Sequence, residues 1–130
     1  MGDCVSGQFA TAINCMDGRI QISVIEHLKK RFEADYIDEI TEAGPNRIVA
    51  ERAPVETFES IKRRVDVSFG KHGSHQLAIV GHEDCGGNPS PESEQIEQLH
   101  RAASVLRELY PQADIAAVWA TLDGHVRDIV

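Results

Sequence analysis

Apolar positions along this chain follow two rhythms that take turns. Phe9 to Asn14 (FATAIN) reads as a buried strand. From Gln21 to Ala34, Ile22, Ile25, Leu28 and Phe32 recur at helical spacing with charges between them. Tyr36 to Ile40 (YIDEI) alternates as a short strand. Glu42 to Asn46 (EAGPN) carries Gly and Pro and reads as a turn or loop. Val55, Phe58, Ile61, Val65 and Phe69 trace a second amphipathic helix from Pro54 to Phe69. The GKHG that follows ends it, because glycine tolerates the left-handed geometry past a helix.

Gln76 to Gly81 (QLAIVG) is a short continuous apolar run bounded by turn residues, which suits a strand buried on both faces. Then comes NPSPES, with Ser90 as N-cap and Pro91 at the first helical position. The helix it starts runs to about Tyr110, with Ile96, Leu99, Ala103, Leu106 and Tyr110 inward, and Pro111 closes it. Asp114 to Leu122 (DIAAVWATL) is the last main strand, and Asp123-Gly124 reads as a tight turn into a short antiparallel edge strand. The order predicts one α/β domain over residues 1–130: a three-layer sandwich around a mainly parallel, four-stranded sheet. Such sheets bind ligands outside the carboxyl ends of their strands.

Composition narrows the partners. A formal charge of −8 argues against nucleic acid or an anionic membrane surface, since neither attracts an acidic protein. No apolar run approaches the ~20 residues of a membrane span. The opening MGDCVSGQFA has neither a basic n-region nor a long apolar h-region, so the expected location is the cytoplasm. Three cysteines in a reducing compartment point to metal binding or chemistry rather than disulfides. Cys4 lies outside any motif and reads as a bystander.

The chemistry collects where strands end. Cys15 follows the first strand, and His82 and Cys85 follow the LAIV strand. If those strands are neighbours, two thiolates and an imidazole converge, which is three-quarters of a tetrahedral zinc site with one position open. An open position marks a catalytic centre rather than a structural one.

CMDGR after a first strand and GHEDCGG after a later one resemble the β-class carbonic anhydrases. The matching residues are Cys15, Asp17 and Arg19, then His82 and Cys85, with Ala43-Gly44 between them near that family's Ala-Gly loop. The resemblance covers roughly Phe9 to Pro89. It implies a homodimer and the zinc-dependent, reversible hydration of carbon dioxide to bicarbonate by a zinc-bound hydroxide. Cys15, His82 and Cys85 would hold Zn2+. The chain departs from the family at Thr41-Glu42-Ala43-Gly44-Pro45, where the family commonly reads Arg-Asn-Ala-Gly-Asn, and its lead into the first strand is short. It resembles a minimal or divergent branch.

Two thiolates cancel the charge of the zinc, so something positive must compensate. Arg19 and the backbone N–H groups around Cys85, Gly86 and Gly87 are the candidates. Asp17 has two readings: free of the metal it orients the bound oxygen, and bound to it as fourth ligand it shuts the site. An Arg19–Asp17 pair would hold it off. Gly44 would let backbone approach the bound substrate closely. His27, His72 and His75 are conceivable proton shuttles, with nothing to select among them.

Plainer readings stand beside these. Cys15 can be a small core residue. His82 and Cys85 can build a structural zinc site with Asp17. Asp17 and Arg19 can be a surface ion pair of negligible value, Glu83 and Asp84 solvated carboxylates, and Trp119 core. Two alternative functions remain: a non-catalytic zinc-binding protein on the same scaffold, and a hydrolase of a CO2 analogue such as CS2 or COS. A cysteine phosphatase fits poorly, because only three residues separate Cys15 from Arg19.

Overall fold

The continuous apolar runs lie at the centre of a five-stranded sheet, as burial on both faces requires. In the computed structural model, which describes residues 7–130, the elements are β1 (Phe9–Cys15), α1 (Gln21–Phe32), β2 (Tyr36–Glu42), α2 (Pro45–Glu51), α3 (Val55–His72), β3 (Gln76–His82), α4 (Glu92–Leu109), β4 (Asp114–Ala120) and β5 (Val126–Asp128). The strand order is β2-β1-β3-β4-β5. The first four strands run parallel, and β5 pairs antiparallel with β4 after a turn at Gly124, where φ is 95°. The expected parallel sheet with its antiparallel edge is therefore present. Cys4 lies outside the described residues.

The two faces are filled differently. Ala10, Ala12, Ala78, Val80, Ala116 and Val118 face Ile20 and α1, which contributes Val24, Leu28 and Phe32. These small strand residues let a single helix pack closely. The other face presents Ile13, Leu77, Ile79, Ile115 and Trp119 to α2, α3 and α4, whose Val49, Phe58, Ile61, Val65, Leu99 and Leu106 interdigitate with them. The result is the three-layer sandwich expected.

Some local expectations are corrected. The buried stripe of α1 is Val24, Leu28 and Phe32, spaced by four; Ile22 is exposed and Ile25 only half-buried. Both stripes share Leu28 and Phe32, so periodicity alone does not choose between them. Within Glu42–Asn46 only Ala43 and Gly44 are loop, because Glu42 ends β2 and Pro45 begins α2. Gly44, at φ 65°, turns the chain into α2, with Pro45 at its start. Seven residues are too few for a 3.6-residue rhythm to register. Ser90 does not cap α4; Pro91 holds the N-cap position, and the Ser90 hydroxyl donates to Asn88 Oδ1 at 3.0 Å. On α4, Ile96 is half-buried, while Gln95 and Gln98 are buried.

From β1 the chain steps outward through α1 to β2, then crosses back over the other face to β3 on the far side of β1. The connections diverge between β1 and β3, and that divergence opens a crevice at their carboxyl ends.

Candidate metal centre

The crevice gathers the three predicted ligands. Cys15 is the last residue of β1, His82 the last of β3, and Cys85 sits in the turn just beyond. All three are buried, and their ligand atoms lie within 4.8 Å of one another. No other such group converges among the described residues.

The donor set fits a tetrahedral ion. The two sulfurs are 3.8 Å apart. A disulfide would need ~2.05 Å, whereas two Zn–S bonds of about 2.3 Å at a tetrahedral angle put sulfurs about 3.8 Å apart. His82 Nδ1 donates to the Glu83 carbonyl at 2.7 Å, which fixes the tautomer and turns a lone pair on Nε2 toward the sulfurs. That buried Nε2 has no hydrogen-bond partner. An orphaned buried nitrogen is costly, and a metal ion would satisfy it.

The charges agree. The Cys85 S–H bonds to Cys15 and, with His82 and the N–H groups of Gly44 and Asp17, holds the Cys15 thiol well below its usual range against the opposing effect of burial. Cys85 moves the other way, because the neighbouring Cys15 sulfur and burial both penalise a second negative charge. For His82, burial favours the neutral ring but is outweighed by Cys15, the Glu83 carbonyl and Asp17, so its pKa is raised. The group alone thus stabilises one thiolate. A divalent cation would let both sulfurs ionise.

Backbone donors surround the sulfurs: Gly44 and Asp17 toward Cys15, Gly87 and Asn88 toward Cys85. The sequence placed Gly44 against the substrate; here its N–H serves Cys15. Gly44 and Gly87 also pack backbone on backbone. A Cβ on Gly87 would lie 2.6 Å from the Ala43 carbonyl carbon, and one on Gly44 2.8 Å from Gly87.

Asp17 is held beside the group rather than in it. Arg19 grips its carboxylate through Nε at 3.0 and 3.1 Å and Nη2 at 2.6 Å, and the Arg19 N–H donates to Oδ1 at 2.9 Å. These bonds hold the Asp17 carboxyl down at about 2. Arg19 reaches further, donating to the Asp84 carbonyl at 3.1 Å and its carboxylate at 3.3 Å. Asp84, read from the sequence as merely solvated, thus ties the β1 loop to the β3 loop. Its φ of 56° turns the chain between His82 and Cys85.

The candidate shuttles lie elsewhere. His72 and His75 sit at the other end of the sheet, before β3 begins, with His72 bonded to Asp38. His27 bonds to Asp128 at 2.9 Å. A cavity of about 400 Å3 borders Gly44 and Gly87 and is lined by Arg47, Ile48, Glu51 and Pro54, but by none of the three ligands.

Sequence reasoning missed the buried amides behind the centre: Asn46, Asn88, Gln95 and Gln98. Their signal was available on α4, where Gln95 precedes Leu99 by one helical turn and so occupies an inward position.

Fold and site together define an α/β protein with a metal-competent Cys-His-Cys group at the switch point of its sheet. Its sequence matches the family described as "Putative carbonic anhydrase" over residues 5–130, and the chain belongs to that family. Among solved structures, a carbonic anhydrase from Streptococcus mutans is similar with a TM-score of 0.68 at 16% identity, over 93% of this chain and 81% of that one. The apo form of a carbon disulfide hydrolase gives 0.62 at 13%, over 96% and 80%. One of two tetrameric β-carbonic anhydrases from Sordaria macrospora gives 0.53 at 11%, over 95% and 81%. At these identities the likeness is one of fold. No curated protein matches the sequence. No helix among the described residues is long and apolar enough to cross a membrane.

Proposed function

We propose that this chain is a zinc-dependent carbonic anhydrase that hydrates carbon dioxide reversibly to bicarbonate. Cys15, His82 and Cys85 hold the zinc, and Asp17 and Arg19 act at the open fourth position. The observation that carries this reading is the buried, partnerless Nε2 of His82 facing two sulfurs 3.8 Å apart.

When bound, zinc would supply a water acidified to a pKa of about 7. The residues do the rest. Two thiolates oppose that acidification by donating charge. The N–H groups of Gly44, Asp17, Gly87 and Asn88 draw charge off the sulfurs and restore part of it. Asp17, an ionised acceptor, takes a hydrogen bond from the attacking water and aims its lone pair at the carbon. Arg19 keeps Asp17 in that place and off the metal. Water adds across one C=O of CO2, giving bicarbonate and a proton.

His82→Ala and Cys85→Ser are each expected to lose zinc through dialysis while the wild-type chain keeps one equivalent, as read by elemental analysis. Stoichiometric zinc in both variants would overturn the ligand assignment.

A further inference from the structure

Behind the centre lie four side-chain amides with almost no exposure: Asn46 at 1%, Asn88 at 0%, Gln95 at 0% and Gln98 at 4%. Burying amides is costly unless each is paired. Here they pair with one another. Asn46 Nδ2 donates to Gln95 Oε1 at 3.2 Å and Gln98 Oε1 at 3.3 Å. Asn88 Nδ2 donates to Gln98 Oε1 at 2.7 Å and Asn46 Oδ1 at 3.3 Å. An apolar core would close this space at lower cost, so the network calls for another explanation.

Its contacts supply one. Gln95 Nε2 faces three carbonyls, of His82 at 3.0 Å, Ser90 at 3.2 Å and Asn88 at 3.4 Å. One buried side chain on α4 thus grips both ends of the His82–Ser90 segment. Asn88, whose side-chain amide the network holds, donates its backbone N–H to the Cys85 carbonyl at 3.3 Å. Asn46 anchors the start of α2, two residues after Gly44, whose N–H serves Cys15. Each of the three candidate ligands therefore has a connection to the network. The sheet also makes room for it: a Cβ on Gly81 would lie 3.0 Å from Asn46 Nδ2 and 3.2 Å from Gln95 Oε1.

We propose that the Asn46–Asn88–Gln95–Gln98 cluster is the positioning device of the metal centre, with Gln95 its keystone, presetting the loops that carry the ligands. This rests on the metal reading above. Gln95 is a positioning residue: it acts through the His82 carbonyl and the loop backbone, and the amide hydrogens are what matter.

The test compares four proteins loaded with zinc and, separately, with cobalt. Gln95→Glu keeps the shape but turns a donor into an acceptor facing three carbonyls. Gln95→Met fills the space with no polar atom and serves where Gln95→Glu does not fold. Ile115→Ala, at the amino end of β4, is the stability control. We expect zinc to pass to a chelator about ten- to a hundredfold faster from the Gln95 variants than from wild type. The sulfur-to-cobalt absorption bands should shift in these variants, while Ile115→Ala matches wild type in both readouts. Gln95 variants with control-like release and unchanged cobalt spectra would overturn the proposal. Wild-type protein that takes up neither metal would instead overturn the metal reading, and this proposal with it.

Discussion

Under the proposed function, Asp17 would carry the chemistry that the three candidate ligands cannot. Its carboxyl is depressed by Arg19 to about 2. Any stability the pair gives is present above the ordinary carboxylate range and is lost as pH falls toward 2. Asp17 is therefore ionised at every pH where the reaction would be assayed, so an alkaline rise in activity would not come from its titration. Asp17→Asn removes the negative charge and one of the two acceptor oxygens without touching a candidate ligand. Zinc content should stay at one per chain while CO2 turnover falls at least about a hundredfold. Undiminished turnover in zinc-replete Asp17→Asn would reject its role.

At the scale of elements, two loops must meet for the centre to exist, and adjacent glycines separate the requirements. Gly87 touches the backbone of Ala43, whereas nothing lies within 4 Å of a Cβ on Gly86. Gly87→Ala should cost about 1–3 kcal/mol, the usual range for overpacking. Gly86→Ala should stay within about 0.5 kcal/mol. Denaturant unfolding of the two variants checks this, and equal stabilities would contradict the loop contact. The same elements mark how far the sequence could be read. The strands and long helices were legible because their apolar rhythms run for several residues, and the candidate ligands because Cys15 and His82 end strands and Cys85 lies just beyond one. α2 was not legible: seven residues beginning at Pro45 hold too little rhythm. The true stripe of α1 was obscured by Ile22 and Ile25, which extend its apolar band beyond what the sheet covers. The amide cluster joins α2, the β3–α4 loop and α4, and no local pattern encodes such a meeting.

For the whole molecule, strand order explains why the site lies where it does. β1 and β3 are adjacent although α1, β2, α2 and α3 intervene, so residues 15 and 82 meet at one crevice. Each face of the sheet has its own helices, leaving the carboxyl ends free to hold the loops. The most direct test of the account is stopped-flow CO2 hydration between about pH 6.5 and 9 on protein whose zinc has been quantified. The account predicts one zinc per chain and turnover that rises with pH as the bound water ionises near its pKa of ≈7. One zinc per chain with no hydration at any pH would contradict it, leaving a metal centre whose substrate is something other than carbon dioxide.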